Sequence, residues 1–161
     1  MSKEVEITYL VTNIEDLEKK LLALGGKLIS QKVLSRDIYQ NHGDYFFRVS
    51  YEDADGQLSH YLTLKSEGNP NSVGEIKEKI EIENEFAENQ IVTLIEMIKL
   101  MGFQKANSYK KTRKSYTVLG CDCDLDLMNG KAYLEIEFSD KNRLDAIVAN
   151  IKEYIDRKSV V

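Results

Sequence analysis

The segment KTRKSYTVLGCDCDLDLMNGKAYLEIE, residues 111–137, carries the strongest fold signal in the chain. Within it, Asp122, Asp124 and Asp126 alternate with cysteine and leucine, which is the period of a β-strand with one apolar face. Asn129-Gly130 follows, and both residue types accept the positive φ angles of a type I′ turn. The segment therefore predicts a β-hairpin with charge on one face and apolar bulk on the other.

The other charged side chains of this segment also fall on common faces. Lys111, Arg113 and Ser115 share one parity before the aspartates, and Glu135 and Glu137 share one parity after the turn. Because successive side chains of a strand point to opposite faces, each set lies along a single face of its strand.

The composition is that of a folded, acidic protein. With 161 residues, 42% hydrophobic and 30% charged, we expect one domain over residues 1–161 with its own core. No apolar run approaches the roughly 20 residues of a membrane span, and nothing resembles a signal peptide, so we expect a cytoplasmic protein without membrane contacts. The net charge of -5 argues against nucleic-acid binding. Cys121 and Cys123 are expected to be buried and reduced. The oligomeric state stays open, a homodimer included.

Further elements follow from alternation, caps and turns. Strands are predicted at residues 4–9, 28–39, 44–51, 58–65 and 76–85, with Asp55-Gly56 as a turn. Helices are predicted after an Asn13 cap, over about residues 89–101, and after an Asp140 cap, with Tyr154 and Ile155 in the last one. SEGNPNSVG, residues 66–74, predicts a flexible loop.

The chain contains an internal repeat with an offset of about 77 residues. Gly25 then matches Gly102, and the pair Arg36 and Tyr39 matches Arg113 and Tyr116. The simplest account is two β-α-β-β-β halves, at about residues 1–77 and 78–161. We therefore predict an α+β fold: an eight-stranded antiparallel β-barrel with a pseudo-twofold axis and helices packed outside.

Charged and apolar residues alternate in the other strands as well. Arg48 lies between Phe47 and Val49, and Lys65 follows Leu64. Lys79, Glu81 and Glu83 alternate with isoleucines. One interpretation is a half-solvated sheet whose charges face bulk water. The other places the helices outside and the charges inside the barrel, where unpaired buried charges are too costly and the lumen must be wet and occupied. Acidic and basic groups side by side then indicate metal ions and a polyanion.

Seven motifs follow one another along nearly the whole chain. They are Glu4-x-Glu6, Asp37-Ile38-Tyr39, FFRVS with Arg48, Leu62-Thr63-Leu64-Lys65, Lys79-Ile80-Glu81-Ile82-Glu83, Lys111-Thr112-Arg113, and Asp126 with Glu135-Ile136-Glu137. In this order they resemble the CYTH domain of the triphosphate tunnel metalloenzymes, which include class IV adenylyl cyclases and thiamine triphosphatases.

The resemblance implies a tunnel that binds a triphosphate together with Mg²⁺ or Mn²⁺. The implied metal ligands are Glu4, Glu6, Glu135 and Glu137, with Glu81, Glu83 and Asp126 in addition. The implied phosphate ligands are Arg48, Lys65, Lys111 and Arg113, with Lys79 and Arg36 as additions, and Lys65, Lys111 and Arg113 are the candidate catalytic residues. The chemistry agrees, because Mg²⁺ prefers carboxylate oxygens with substrate phosphates, and arginine forks fit phosphate oxygens.

One position departs from the family pattern, because the lysine of the first-strand motif is Thr8 here. Two classes of function therefore stay open. The first is an enzyme acting on ATP, tripolyphosphate or thiamine triphosphate, either a class IV adenylate cyclase-like enzyme that makes cyclic AMP and pyrophosphate or a triphosphatase. The second is a binding module that has lost turnover.

Overall fold

A computed structural model of the chain shows an antiparallel β-sheet with helices. It describes residues 2–66 and 76–156, except the side chains of residues 2–4, 77 and 78. Within these residues it has nine strands and three α-helices: β1 Ser2–Val11, α1 Ile14–Ala23, β2 Lys27–Gln40, β3 Tyr45–Ala54, β4 Gln57–Ser66, β5 Lys77–Phe86, α2 Glu88–Leu100, β6 Gln104–Val118, β7 Cys121–Met128, β8 Lys131–Glu137, α3 Lys141–Ile151 and β9 Ile155–Asp156. The predicted loop at residues 66–74 lies outside the described residues, except that Ser66 ends β4.

The two halves of the chain have the same order of elements. One runs β1-α1-β2-β3-β4 and the other β5-α2-β6-β7-β8, which confirms the predicted β-α-β-β-β pattern. The α+β class is confirmed as well. Closure of eight strands into a barrel and its pseudo-twofold axis stay predictions. The described strands number nine rather than eight, because Ile155–Asp156 pairs with β1.

The predicted end of the last helix is wrong. Helix α3 ends at Ile151, and a 3₁₀ turn at Lys152–Tyr154 leads into β9. Ile155 is still buried in the same core as Ile147 and Ile151, because β9 pairs antiparallel with β1. Ile155 therefore keeps the four-residue spacing of Ile147 and Ile151, although it lies in a strand and not in the helix.

Residues 111–137 form three strands with two turns, rather than a single hairpin. The strands β6, β7 and β8 pair in antiparallel succession. Asn129 and Gly130 have φ angles of 53° and 75°, which confirms the positive φ predicted for this turn. Leu119 and Gly120 form the other turn, with φ angles of 49° and 75°, and this turn was not predicted.

The chain divides into two compact units, which we call unit 1 and unit 2. Unit 1 comprises Met1–Glu4, Lys32–Gly68 and Lys79–Lys111, and unit 2 comprises Val5–Gln31, Asn69–Glu78 and Thr112–Val161. Each unit takes segments from both halves of the repeat. The single domain over residues 1–161 stays a prediction.

The core of unit 1 lies between α2 and the apolar face of its strands. Ile91 and Ile98 of α2 are buried together with Tyr39 of β2 and Val49 of β3. The strands β5, β4, β3 and β2 follow one another as antiparallel neighbours. Because α2 covers one face of these strands, side chains of the other parity lie on the opposite face.

The core of unit 2 is larger, and both of its α-helices, α1 and α3, pack into it. Leu17 and Leu21 of α1 and Ile147 of α3 pack against Cys123 and Leu134 of the sheet. The strands follow the order β6, β7, β8, β1 and β9. Both cysteines of the chain are buried and free, as predicted. Over the described residues, no helix has both the length and the apolar character needed to cross a membrane.

Candidate functional site

The strands of unit 1 carry a polar face on the side away from α2. Val49 packs against α2, so its neighbour Arg48 lies on the other side. The antiparallel register then aligns Lys65 with Glu81 on that side. We call this surface the unit 1 polar face, and its residues are Arg36, Arg48, Ser50, Thr63, Lys65, Lys79, Glu81, Glu83, Tyr109 and Lys111.

Two cations of the unit 1 polar face, Arg48 and Lys65, are ion-paired with its carboxylates. The Arg48 Nη2 lies 3.5 Å from the Glu83 Oε2 and 3.8 Å from the Glu81 Oε1. The Lys65 Nζ lies 4.0 Å from the Glu81 Oε2. Thr63 donates a hydrogen bond of 2.6 Å to Glu83. Since the side chains of Arg48 and Lys65 are only 11% and 8% exposed, the carboxylates offset charges that are largely withdrawn from water.

Two buried donors on this face have unused hydrogen-bonding capacity. The Arg48 Nε and the Ser50 Oγ are buried and have no hydrogen-bond partner among the described residues. An unsatisfied buried donor costs about 1–3 kcal/mol, and more when it is charged. A phosphate oxygen is the type of acceptor that a guanidinium N–H binds best. Both donors therefore suit an anionic ligand.

Tyr109 stands among three cations of the unit 1 polar face. It is half-buried, the Lys111 Nζ lies 5.8 Å from its ring centroid, and Arg36 is hydrogen-bonded to it. Burial by itself raises the pKa of Tyr109, but Arg36, Lys111 and Arg48 lower it by more, so the pKa lies below its ordinary value. The sequence interpretation missed Tyr109, although it has the parity of Lys111 and Arg113 in β6.

Unit 2 carries its own polar face, and Arg113 lies in it. Arg113 binds Asp126 through two hydrogen bonds, Nε to Oδ1 at 2.7 Å and Nη2 to Oδ2 at 2.8 Å. Its Nη1 lies 3.3 Å from the Asp124 Oδ2, and Ser115 donates a 2.7 Å hydrogen bond to Asp124. Burial alone would lower the pKa of Arg113, but Asp126 and then Asp124 raise it by more, so the guanidinium stays charged.

The same face of unit 2 carries the acidic residues that were predicted to bind metal. The register places Glu135 opposite Asp124, and Glu137 opposite both Asp122 and Glu6. Glu6 is buried, Glu135 is half-buried and Glu137 is exposed. The side chain of Glu4, the fourth predicted ligand of this set, lies outside the described residues.

The metal assignment stays a prediction. Among the described side chains, no three Asp, Glu, His or Cys residues are arranged to hold a metal ion. The donor chemistry nevertheless fits Mg²⁺ or Mn²⁺, because Glu6, Glu135 and Glu137 offer hard carboxylate oxygens and Mg²⁺ needs only one or two of them beside substrate phosphates. Thr8 is half-buried, two residues after Glu6 in β1, and pairs with Glu135 of β8. It offers a hydroxyl where the family pattern has a cation.

The opposite face of β6 has a buried polar group that holds α1. Tyr116 is 3% exposed and donates a 2.5 Å hydrogen bond to the Glu18 Oε2. The Lys114 Nζ lies 3.1 Å from the same oxygen. Burial and then the hydrogen bond to Glu18 raise the pKa of Tyr116. These residues face the helix rather than the polar face, so we assign them a structural role.

The structure brings the predicted site residues together in two sets. Arg36, Arg48, Lys65, Glu81, Glu83 and Lys111 lie on the unit 1 polar face, with Lys79 half-buried on the same parity of β5 as Glu81. Arg113, Asp126, Glu6, Glu135 and Glu137 lie on the polar face of unit 2. The sequence missed Ser50, Thr63, Asp124 and Tyr109 as site residues; their parity along each strand was the available signal.

Comparison with known proteins identifies the fold. No protein-family model and no curated protein sequence matches the chain. A conserved hypothetical protein from Pyrococcus furiosus superposes with a TM-score of 0.73 at 20% identity, over 97% of this chain and 96% of that one. HpAC1 from Hippeastrum, a candidate adenylyl cyclase described as having a dominant triphosphatase activity, gives 0.68 at 17% identity, over 93% and 87%. A candidate adenylate cyclase from Vibrio parahaemolyticus gives 0.61 at 15% identity, over 97% and 94%.

These similarities bear on the fold alone, since every identity is below 25%. The cyclase-type structures are CYTH-type proteins, so the resemblance seen in the motifs is confirmed at the level of the fold.

Proposed function

We propose that the protein is a metal-dependent enzyme that acts on a triphosphate compound. The observation that carries this proposal is the unit 1 polar face, where Arg36, Arg48, Lys65 and Lys111 share one face and the buried Arg48 Nε and Ser50 Oγ have no hydrogen-bond partner among the described residues. Arg36 and Lys65 are buried, and charges withdrawn from water need compensating partners, which a bound polyanion would supply. The CYTH-type fold of the chain supports the same substrate class.

The cations of the unit 1 polar face suit phosphoryl or nucleotidyl transfer, which depends mainly on positioning and charge neutralisation. Arg48 and Arg36 would hold phosphate oxygens with planar N–H forks, and Lys65 and Lys111 would neutralise charge as point cations. On the polar face of unit 2, Glu6, Glu135 and Glu137 would hold Mg²⁺ or Mn²⁺. A bound ion would supply neutralisation of negative charge on phosphate oxygens. The Arg48 Nη2 and the Lys65 Nζ, which lie beside Glu81 and Glu83, would then be shared between these carboxylates and the phosphate.

Three reactions fit this site. Cyclisation of ATP to cyclic AMP and pyrophosphate is the first candidate, in the manner of class IV adenylate cyclases. Hydrolysis of tripolyphosphate, thiamine triphosphate or a nucleoside triphosphate is the second, and the triphosphatase activity described for the Hippeastrum protein favours it. Thr8 favours a third candidate, a module that binds phosphate compounds without turnover, because it removes one cation from the family pattern.

Product analysis separates these candidates. The protein is incubated with ATP, tripolyphosphate or thiamine triphosphate, each with Mg²⁺ and with Mn²⁺, and products are resolved by phosphorus NMR. We expect cyclic AMP with pyrophosphate, or free phosphate, and we expect Arg48→Gln and Lys65→Gln to reduce turnover. Lys141→Gln on the exposed surface of α3 is the control and should leave turnover unchanged.

A thermal-shift series completes the test. Tripolyphosphate with Mg²⁺ should raise the melting temperature by mass action, and monophosphate should raise it much less at equal concentration. A melting temperature unmoved by tripolyphosphate, together with no product from any substrate, would overturn the proposed function. A raised melting temperature without product would identify the binding module.

A further inference from the structure

Tyr109 lies beside the cations that would bind an anion on the unit 1 polar face. Its phenolic oxygen is within hydrogen-bonding reach of Arg36, and the Lys111 Nζ lies 5.8 Å from its ring centroid. Arg48, on β3, is close enough to act on Tyr109 electrostatically. Cations from three strands, β2, β3 and β6, thus surround one half-buried tyrosine.

The hydroxyl of tyrosine is both a donor and an acceptor. While its oxygen accepts from Arg36, its own proton can be donated to another acceptor. A phosphate oxygen held by the surrounding cations would be such an acceptor, and hydrogen bonds to ionised acceptors are about twice as strong as neutral ones. None of the seven motifs includes Tyr109, and a lysine or arginine there could not supply this donor without adding a fourth positive charge.

We propose that Tyr109 is a further substrate-binding residue, whose hydroxyl donates a hydrogen bond to a phosphate oxygen of the polyphosphate held by Arg36, Arg48 and Lys111. This inference rests on the proposed function, since it names an additional ligand at the same site. It also explains why a tyrosine occupies a position that faces charge rather than the apolar core.

The proposal has a consequence for pH. As a neutral phenol, Tyr109 assists the bound anion, and as a phenolate it competes with that anion for the same cations. Arg36, Lys111 and Arg48 lower the pKa of Tyr109, and a bound polyphosphate would raise it again. The other charges of this face, which are Lys65, Lys79, Glu81 and Glu83, are common to wild type and variant. Polyphosphate binding at alkaline pH is therefore coupled to proton uptake by Tyr109.

The test measures tripolyphosphate affinity by calorimetry, with wild type, Tyr109→Phe and Tyr45→Phe, between about pH 7 and about pH 10, the range that ends at the ordinary pKa of tyrosine. At the lower pH, Tyr109→Phe should bind about tenfold more weakly or worse, the loss of a hydrogen bond to a charged acceptor. As the pH rises, the wild type should lose affinity faster than Tyr109→Phe, so that the ratio between them falls. Tyr45 is exposed on the other parity of β3, and Tyr45→Phe should behave as wild type.

A second measurement covers the case in which Tyr109→Phe folds poorly. Tyrosinate absorption of the wild-type protein, recorded during alkaline titration, should show one tyrosine whose pKa rises when tripolyphosphate is added. Equal affinities for wild type and Tyr109→Phe at every pH, or a tyrosinate titration that tripolyphosphate does not shift, would overturn the role of Tyr109 while the proposed function stands. Absence of tripolyphosphate binding by the wild type would overturn both.

Discussion

Removal of the Asp126 carboxylate should destabilise unit 2 strongly, because it leaves the Arg113 guanidinium without its bidentate partner. The two side chains are only 12% and 8% exposed, and their hydrogen bonds measure 2.7 and 2.8 Å. Removing one partner of a buried pair costs about 3–5 kcal/mol, because the other charge is left uncompensated in a poorly solvated place. Asp124 lies 3.3 Å from Arg113 and retains part of the attraction, so we expect a loss at the low end, about 3 kcal/mol, for Asp126→Ala.

The assay is equilibrium unfolding in urea, with the melting temperature as a second readout. A loss of about 3 kcal/mol corresponds to roughly 6–12 °C for a domain of this size. The matched control is Asp145→Ala, whose partner Lys141 lies 3.7 Å away with both side chains more than half exposed, and which should cost no more than about 0.5 kcal/mol. Tripolyphosphate should restore part of the loss in Asp126→Ala, because it offers Arg113 a new anion. If Asp126→Ala unfolds with the same free energy as the control, the pair is effectively solvated and the reasoning fails.

Three further changes test other parts of the structure. Thr8→Lys should add a cation beside Glu135 and tighten tripolyphosphate binding in calorimetry. Unchanged or weaker binding would show that a cation at position 8 does not contribute to binding. Tyr116→Phe should cost about 1 kcal/mol by removing the hydrogen bond to Glu18. Because the pKa of Tyr116 is raised, that cost should be constant below about pH 10 and shrink above it in urea titrations, whereas a cost that grows would contradict the assignment. Ile136→Ala should cost about 2–5 kcal/mol, since Ile136 is fully buried, and a smaller loss in urea unfolding would mean that the core collapses around the cavity.

Local signals in the sequence predicted most of the fold, because they act over a few residues. Asn13 accepts the Asp16 N–H at 3.1 Å and caps α1, as its side chain predicts. Asn129-Gly130 forms the turn that its residue types require. Alternation placed β1 to β5 within three residues of their observed ends, whereas β6 begins at Gln104, seven residues before the predicted start at Lys111. These features depend on near neighbours, so the rest of the chain can do little to change them.

The end of α3 and the strand β9 could not be predicted in the same way. The spacing of Ile147, Ile151 and Ile155 is helical, yet Ile155 belongs to a strand. What decides this is the pairing of Ile155 with Val11, a partner far away in sequence. Periodicity reports that a residue is buried, but it does not report which element buries it.

The sequence indicated charged residues that the structure places on two polar faces, but it did not indicate which of them pair with each other. Arg113 and Asp126 were assigned opposite roles, one toward phosphate and the other toward metal, and the structure pairs them. The turn at Leu119 and Gly120 aligns these two positions, so recognition of that turn would have predicted the pair. The neighbourhood of Tyr109 depends on Arg36 and Arg48 from two other strands, and no spacing within β6 indicates it.

The two cysteines can report how often the core of unit 2 opens, because their thiols are buried in it. Cys121 and Cys123 are free thiols, 1% and 0% exposed, in the core of unit 2. Burial raises the pKa of Cys123 to about 12, with Cys121 adding to the rise, so little of the reactive thiolate exists while the core is closed. A thiol reagent can therefore modify them only when β7 separates from the helices that cover it. The rate of modification measures how often unit 2 opens, and a ligand that binds only the closed form will slow it in proportion to its occupancy.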